Sequence, residues 1–266
     1  MFSTVKLHLI KGLSALIILS GLVVAQSSSL ARDYGPDCLE GFTYSGRVQG
    51  KNITIAGVPT YSARPSKNSG TKKVIMFFPD VFGPFYVNNE LLQDQFASQG
   101  YHVFGIDYFF GDPIQIAQTR PNFNQTEWIL KSVQQAAESV PRWIEGVRQL
   151  HGANSKYNAV GYCFGAPYAM DIGSTDKVVA TAFAHPSALN EEHFRRLTKA
   201  DTAFPVESVR RAHDILSANN ASYHLQVFSG VTHGFAIRSD PENSNAVWAK
   251  EESAKSVIEW FNRFSK

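Results

Sequence analysis

The run Lys73-Val-Ile-Met-Phe-Phe-Pro79 constrains this chain most. It is continuously apolar with no polar alternation, the pattern of a parallel strand buried on both faces, and such a strand needs helices above and below it. Tyr101 to Ile106, the short segment Tyr157 to Val160 and Val178 to Ala184 read as further buried strands, and Tyr223 to Phe228 as one more. Lys51 to Ala56 alternates as a strand should, with Val58 to Ala63 as its neighbour, and Arg64 to Lys73 is a polar linker. Between the strands lie helical patterns. Asn89 to Gly100 closes on a glycine, with Leu92 and Phe96 inward. From Thr126, Ile129, Val133, Ala136, Val140, Ile144 and Val147 recur at helical spacing, and Pro141 is expected to kink or split that helix. Val247, Ala254, Ile258 and Phe261 mark a closing helix capped near Ser244 or Asn245. The alternation predicts an α/β domain, a mostly parallel sheet with helices on both faces and its site at the carboxyl ends of strands.

One of those ends carries the chemistry. Gly161-Tyr-Cys163-Phe-Gly165 follows an apolar strand and precedes the helix-compatible run Ala166 to Ile172. Flanking glycines let a strand turn sharply into a helix and leave the central side chain in strained backbone, the nucleophile elbow. A thiolate at Cys163 would lie over a helix N-terminus, which lowers a thiol's pKa. The same five residues also suit an ordinary turn around a buried cysteine. A thiol nucleophile needs a base held in one tautomer. Of eight histidines, His233 stands apart, in Ser229-Gly-Val-Thr-His-Gly-Phe235 beyond the last strand and after the nucleophile. His185 follows a strand directly and is read as a pocket residue or a structural histidine.

Lys6 and Lys11, the apolar stretch Leu13 to Val24 and the small exit at Ala25 read as a signal peptide over residues 1–25, leaving residues 26–266 as a single domain. Its removal brings 25 basic residues to 23, equal to the 23 acidic ones. A neutral chain without Lys or Arg runs argues against nucleic acid or anionic membrane as the main partner, and secretion is the expected localisation. The sequons at Asn52, Asn124 and Asn220 are glycosylation candidates on that route. Residues 26–45 read as a polar tail. Of the two cysteines, Cys38 lies there, and a disulfide to Cys163 would require that tail to come within about 7 Å of the elbow and would consume the nucleophile. Cys38 is therefore expected to be dispensable for turnover.

From about Cys38 onward the chain resembles the dienelactone hydrolase family, especially its fungal branch. The motifs are Gly161-Tyr-Cys-Phe-Gly165, His185-Pro-Ser187 and Thr232-His-Gly-Phe235. The resemblance implies an α/β-hydrolase fold and hydrolysis of small esters or lactones without cofactor or metal. It implies Cys163 as nucleophile, His233 as base and acid, and Asp201 as the orienting carboxylate. Asp80 stands where the family places an elbow-facing glutamate. The backbone N–H groups of Phe164 and of Val81 or Phe82 are the expected oxyanion donors. Tyr108 to Asp112 resembles the substrate loop, with Phe110 where an arginine is usual, so neutral esters are expected over carboxylated dienelactones. The pocket expected from these motifs comprises Asp80, Phe82, Tyr108, Phe110 and His185. Glu191 to Ala200 contains no apolar strand where the family has one before the catalytic acid, which leaves a second reading open, a secreted binding protein with a degraded site.

Overall fold

A computed structural model of the protein describes residues 28–31, 33–66, 72–196 and 206–266. The expected leader and Asp201 lie outside these. Among the described residues six strands carry the fold: β1 (Lys51–Ile55), β2 (Val58–Ala63), β3 (Lys73–Phe78), β4 (Tyr101–Ile106), β5 (Lys156–Tyr162) and β6 (Ala180–Ala184). They form one mixed sheet in the order β1-β2-β4-β3-β5-β6. β1 pairs with β2 and β2 with β4 antiparallel, and the other three ladders are parallel. The helices are α1 (Val87–Ser98), α2 (Ile114–Ala117), α3 (Gln125–His151), α4 (Ala166–Gly173), α5 (Glu191–Arg195), α6 (Val206–Ala218), α7 (Phe235–Arg238) and α8 (Ser244–Phe264). No described helix is long and apolar enough to cross a membrane.

The apolar run in β3 explains the two-sided core. Successive side chains point to opposite faces. Val74, Met76 and Phe78 join Trp128, Ala136, Trp143 and Val147 of α3 in one apolar cluster. Ile75 and Phe77 join Leu92 and Phe96 of α1 and Val257, Ile258 and Phe261 of α8 in the other. Helices therefore cover both faces, as the sequence pattern demands.

Three expectations change. Pro141 does not split its helix: α3 is a single element of 27 residues. Pro141 and Ala137, whose carbonyl loses its partner, are both exposed, so the freed carbonyl is open to solvent and its missing hydrogen bond costs little. The inward face of α3 also rests on Trp128 and Trp143, whereas Val133 is exposed. The closing helix is capped by Asn243, whose side chain accepts from the Ala246 N–H at 3.1 Å, one residue earlier than expected.

The third change concerns the far edge of the sheet. Tyr223 to Phe228 belongs to no ladder despite its strand-like alternation. A strand exists by its partners, and no described strand lies beyond β6. The segment passes beside β6, with His224, Gln226 and Phe228 facing Thr181 to Ala184 across a void of about 20 Å³, little more than one water. Among the described residues, the outer edge of β6 and the Tyr223 to Phe228 segment face each other without ladder partners.

The first part of the chain is not a free tail. Leu30 and Ala31 donate backbone hydrogen bonds to the Leu189 carbonyl at 2.8 and 2.9 Å, and Leu30, Ala31 and Cys38 are buried. A short 3-10 turn, Pro36–Leu39, presents Cys38 inward.

Candidate active site

The elbow forms as its glycines dictate. β5 ends at Tyr162, Cys163 takes φ 48°, and the chain turns through Cys163–Gly165 into α4. Positive φ on a non-glycine residue is strained backbone. A Cβ at Gly161 would lie 2.5 Å from the Gly165 carbonyl oxygen, and one at Gly165 would strike the Phe78 carbonyl. Only glycine allows β3, β5 and α4 to approach this closely. The Phe164 N–H faces the Cys163 sulfur.

Around that sulfur the fold gathers residues from four parts of the chain. Ser187, in the loop after β6, donates its N–H to the Cys163 carbonyl at 3.2 Å. Its Oγ lies 3.4 Å from Cys163 Sγ and 3.3 Å from Cys38 Sγ. His233 brings Nε2 to 3.6 Å from Cys38 Sγ. The two sulfurs and the His233 nitrogen lie within 4.8 Å of one another. The tail thus does reach the elbow, and both thiols are free. Cys38 is the group that sequence reasoning set aside. Its only signal was to be the second of two cysteines in the chain, because its contacts with Ser187 and His233 span 149 and 195 residues.

The thiols do not share their charge evenly. Burial pushes Cys163 well above the ordinary thiol range, against the expected pull of the helix N-terminus. The hydrogen bond from Cys163, together with His233, draws Cys38 down. The more acidic thiol is the one beside the imidazole. His185, at φ 37°, packs edge-on to His233 with ring centroids 5.0 Å apart. Burial pushes His185 well below the usual imidazole range, so its ring is neutral, and its nitrogens hydrogen-bond no other described residue.

A cavity of about 620 Å³ opens on this cluster, with Cys38, His185, Ser187 and His233 on its wall. Cys163, fully buried, is not part of that wall. Asp33 and Asp37 are, and among the described residues no Lys or Arg is.

The other expected pocket residues lie elsewhere. Asp80 is buried, ion-paired with Arg238, and accepts from the Phe82 N–H at 3.1 Å and from Asn89 Nδ2 at 2.9 Å, so its partners are not thiols. Arg238 also lies over the Phe82 ring at 4.5 Å and donates to the carbonyls of Cys38 and Glu40 at 3.2 and 2.9 Å, clasping the Cys38 segment to the loop after β3. Val81 is buried, its carbonyl accepting from the Ile114 N–H at 3.0 Å. Tyr108 is fully buried, with its hydroxyl on the Pro79 carbonyl and its ring against Phe164. Phe110, at φ 53°, is exposed at the tip of a turn held by Asp107, which accepts from the Phe109 and Gly111 N–H groups. Among the sequons, Asn52 is exposed on β1, Asn124 caps α3 and Asn220 follows α6.

Comparison with known proteins shows the family. The profile of the dienelactone hydrolase family matches residues 58–265. "Dienlactone hydrolase 2" of Gibberella moniliformis is 34% identical over 239 residues, covering 88% of this chain and 96% of the relative. A "Carboxymethylenebutenolidase homolog" of Rattus norvegicus is 25% identical over 234 residues, covering 81% and 91%. Among solved structures, a putative dienelactone hydrolase from Klebsiella pneumoniae superposes with TM-score 0.66 at 14% identity, covering 82% of this chain and all of that one.

Proposed function

The chain belongs to the dienelactone hydrolase family and is a hydrolase of that type, and from that premise we propose that it cleaves small neutral esters or lactones through a Cys163 thioester. The observation that carries the reading is Cys163 held at φ 48° at the head of α4, in one cluster with His233. Cys163 attacks the acyl carbon and its proton passes to His233, with Cys38 lying between them. The N–H groups of Phe164 and Val81 hold the oxyanion, each worth about 3–4 kcal/mol in comparable sites. Water, activated by His233, then opens the thioester. Asp201 is assigned the orienting role. Residues 1–25 act as a secretory leader for the single domain that follows.

A wall bearing Asp33 and Asp37, with no Lys or Arg among its described residues, supports neutral over carboxylated substrates. An anionic group would find no bidentate partner among those residues.

One observation favours a second reading of the nucleophile. Cys38 lines the cavity and neighbours His233, whereas Cys163 lies behind it. The deciding assay is hydrolysis of short aryl esters, dienelactones and their neutral esters by the full chain, Cys163→Ala and Cys38→Ser. Cys163→Ala is expected to cost at least about 10³-fold in kcat/KM, with neutral esters the better substrates. Near-native turnover by Cys163→Ala together with a dead Cys38→Ser would transfer the role to Cys38. Strong preference for carboxylated lactones would overturn the substrate assignment.

A further inference from the structure

Two thiols and an imidazole in contact are a metal-ligand set as well as a catalytic one. A tetrahedral zinc with Zn–S of about 2.3 Å and Zn–N of about 2.0–2.1 Å holds sulfur and nitrogen about 3.6 Å apart and two sulfurs about 3.8 Å apart. Cys38 Sγ and His233 Nε2 already stand at 3.6 Å, and all three donor atoms lie within 4.8 Å of one another. Closing the remaining gaps asks for shifts of roughly 1 Å.

The surroundings suit an ion too. Ser187 Oγ sits at 3.3 and 3.4 Å from the two sulfurs, placed to donate its one proton to either thiolate from the outer shell. Cys38 and His233 lie on the cavity wall, which supplies an entry path and room for a fourth ligand. The donors come from the Pro36–Leu39 turn, the elbow and the loop before α7, so an ion would tie together three separate pieces of chain.

We propose that Cys38, Cys163 and His233 form a binding site for a zinc-class divalent cation, and that its occupancy holds the hydrolase inactive. Two thiols and one imidazole select a borderline-soft ion over magnesium or calcium, which take oxygen ligands. Binding forms two metal–sulfur bonds and one metal–nitrogen bond, and releases to solvent whatever protons the two thiols carry. The bound ion occupies the lone pairs that Cys163 and His233 need for attack and proton transfer. The inhibitory half rests on the function proposed above, whereas the binding half does not.

The test uses the full chain, reduced and freed of metal by a chelator, titrated with Co²⁺ and then competed with Zn²⁺, with ester hydrolysis followed in parallel. Expected are one cobalt per chain, a thiolate-to-cobalt absorption band displaced by zinc, and hydrolysis falling in proportion to occupancy and returning with chelator. Loss of an outer-shell partner costs 10–100-fold in affinity, so loss of a ligand in Cys38→Ser should cost upward of about 100-fold. His233→Ala should weaken binding with both thiols intact, and it decides the matter if thermal unfolding shows that Cys38→Ser is not folded. Absence of the band at stoichiometric cobalt, or a band unchanged in the folded variants, overturns the site. Hydrolysis indifferent to the bound ion overturns the inhibitory half. A chain that binds the ion yet hydrolyses nothing when metal-free leaves the site standing and overturns the proposed function instead.

Discussion

The two flanks of β5 differ in what holds them. Toward β3 the ladder runs from Lys73 opposite Lys156 to Phe78 opposite Gly161, with β4, β2 and β1 continuing the sheet. Toward β6 it runs for five pairs, and past β6 the next segment lies alongside without pairing. The nucleophile elbow grows from the first side and the histidine loop from the second. Cys163 is therefore placed by backbone geometry that cannot yield, whereas His233 is placed by side-chain contacts around α7 and by the Asn245 Nδ2 bond to the Ser229 carbonyl. A stiffly held cysteine and a more loosely held histidine follow from a sheet whose described strands end at β6.

The largest effect should come from the stiff side. In Gly165→Ala the new methyl group meets the Phe78 carbonyl oxygen and carbon, backbone atoms with little room to move. Loss of more than about 4 kcal/mol, or no folded protein, is expected by thermal unfolding. A variant of native stability would show that the elbow is looser than its geometry implies.

Arg238→Met comes next. It leaves Asp80 buried without its cation and releases the carbonyls of Cys38 and Glu40. Breaking a buried pair costs about 3–5 kcal/mol, read as a lowered midpoint in urea. The double variant with Asp80→Asn should recover part of that loss, and failure to recover any would place the cost elsewhere.

A smaller effect sits on the β3 side and depends on pH. His102 on β4 and His151 at the end of α3 pack with centroids 4.8 Å apart. Burial, then its neighbour His102, pulls His151 down to about 4. The unfolded imidazole titrates near 6.5, so between about pH 6.5 and 4 the unfolded chain binds the proton more readily. Stability from this group is present above 6.5 and lost as pH falls through that window. His151→Gln should flatten the acid limb by about 1 kcal/mol, since solvent screens a half-buried group. An identical pH profile would remove His151 from the account.

The smallest effect belongs to the β6 side. Val227 is 59% exposed in the unpaired segment, and Val227→Ser should shift stability by less than about 0.5 kcal/mol. A cost comparable to that of a core residue would mean that the segment pairs in solution.

The sequence made the β3 side legible because its strands bury both faces, and continuous apolar runs such as Val74 to Phe78 have no other economical use in a chain of this kind. Tyr223 to Phe228 misled for the complementary reason. Its alternation satisfies a strand's side chains, while the backbone partner that makes a strand is a property of the rest of the sheet. At the site, the glycines around Cys163 and the loop of His233 announced themselves through local backbone demands. Cys38 and Arg238 did not, since their roles arise from contacts across 149 to 200 residues that no local pattern encodes. The structure gives Arg238 to Asp80 and Arg120 to Asp112 at 2.8 Å.

The clasp at Arg238 also decides where this chain can be cut. The family profile begins at residue 58, and a recombinant fragment started there would look complete by that profile alone, although the Gibberella moniliformis relative covers 88% of this chain. It would lack the Cys38 and Glu40 carbonyls that receive the guanidinium, and the thiol beside His233. It would also lose β1, turning β2 from an interior strand into a bare edge open to other chains. The boundary drawn by the profile falls inside the unit that folds.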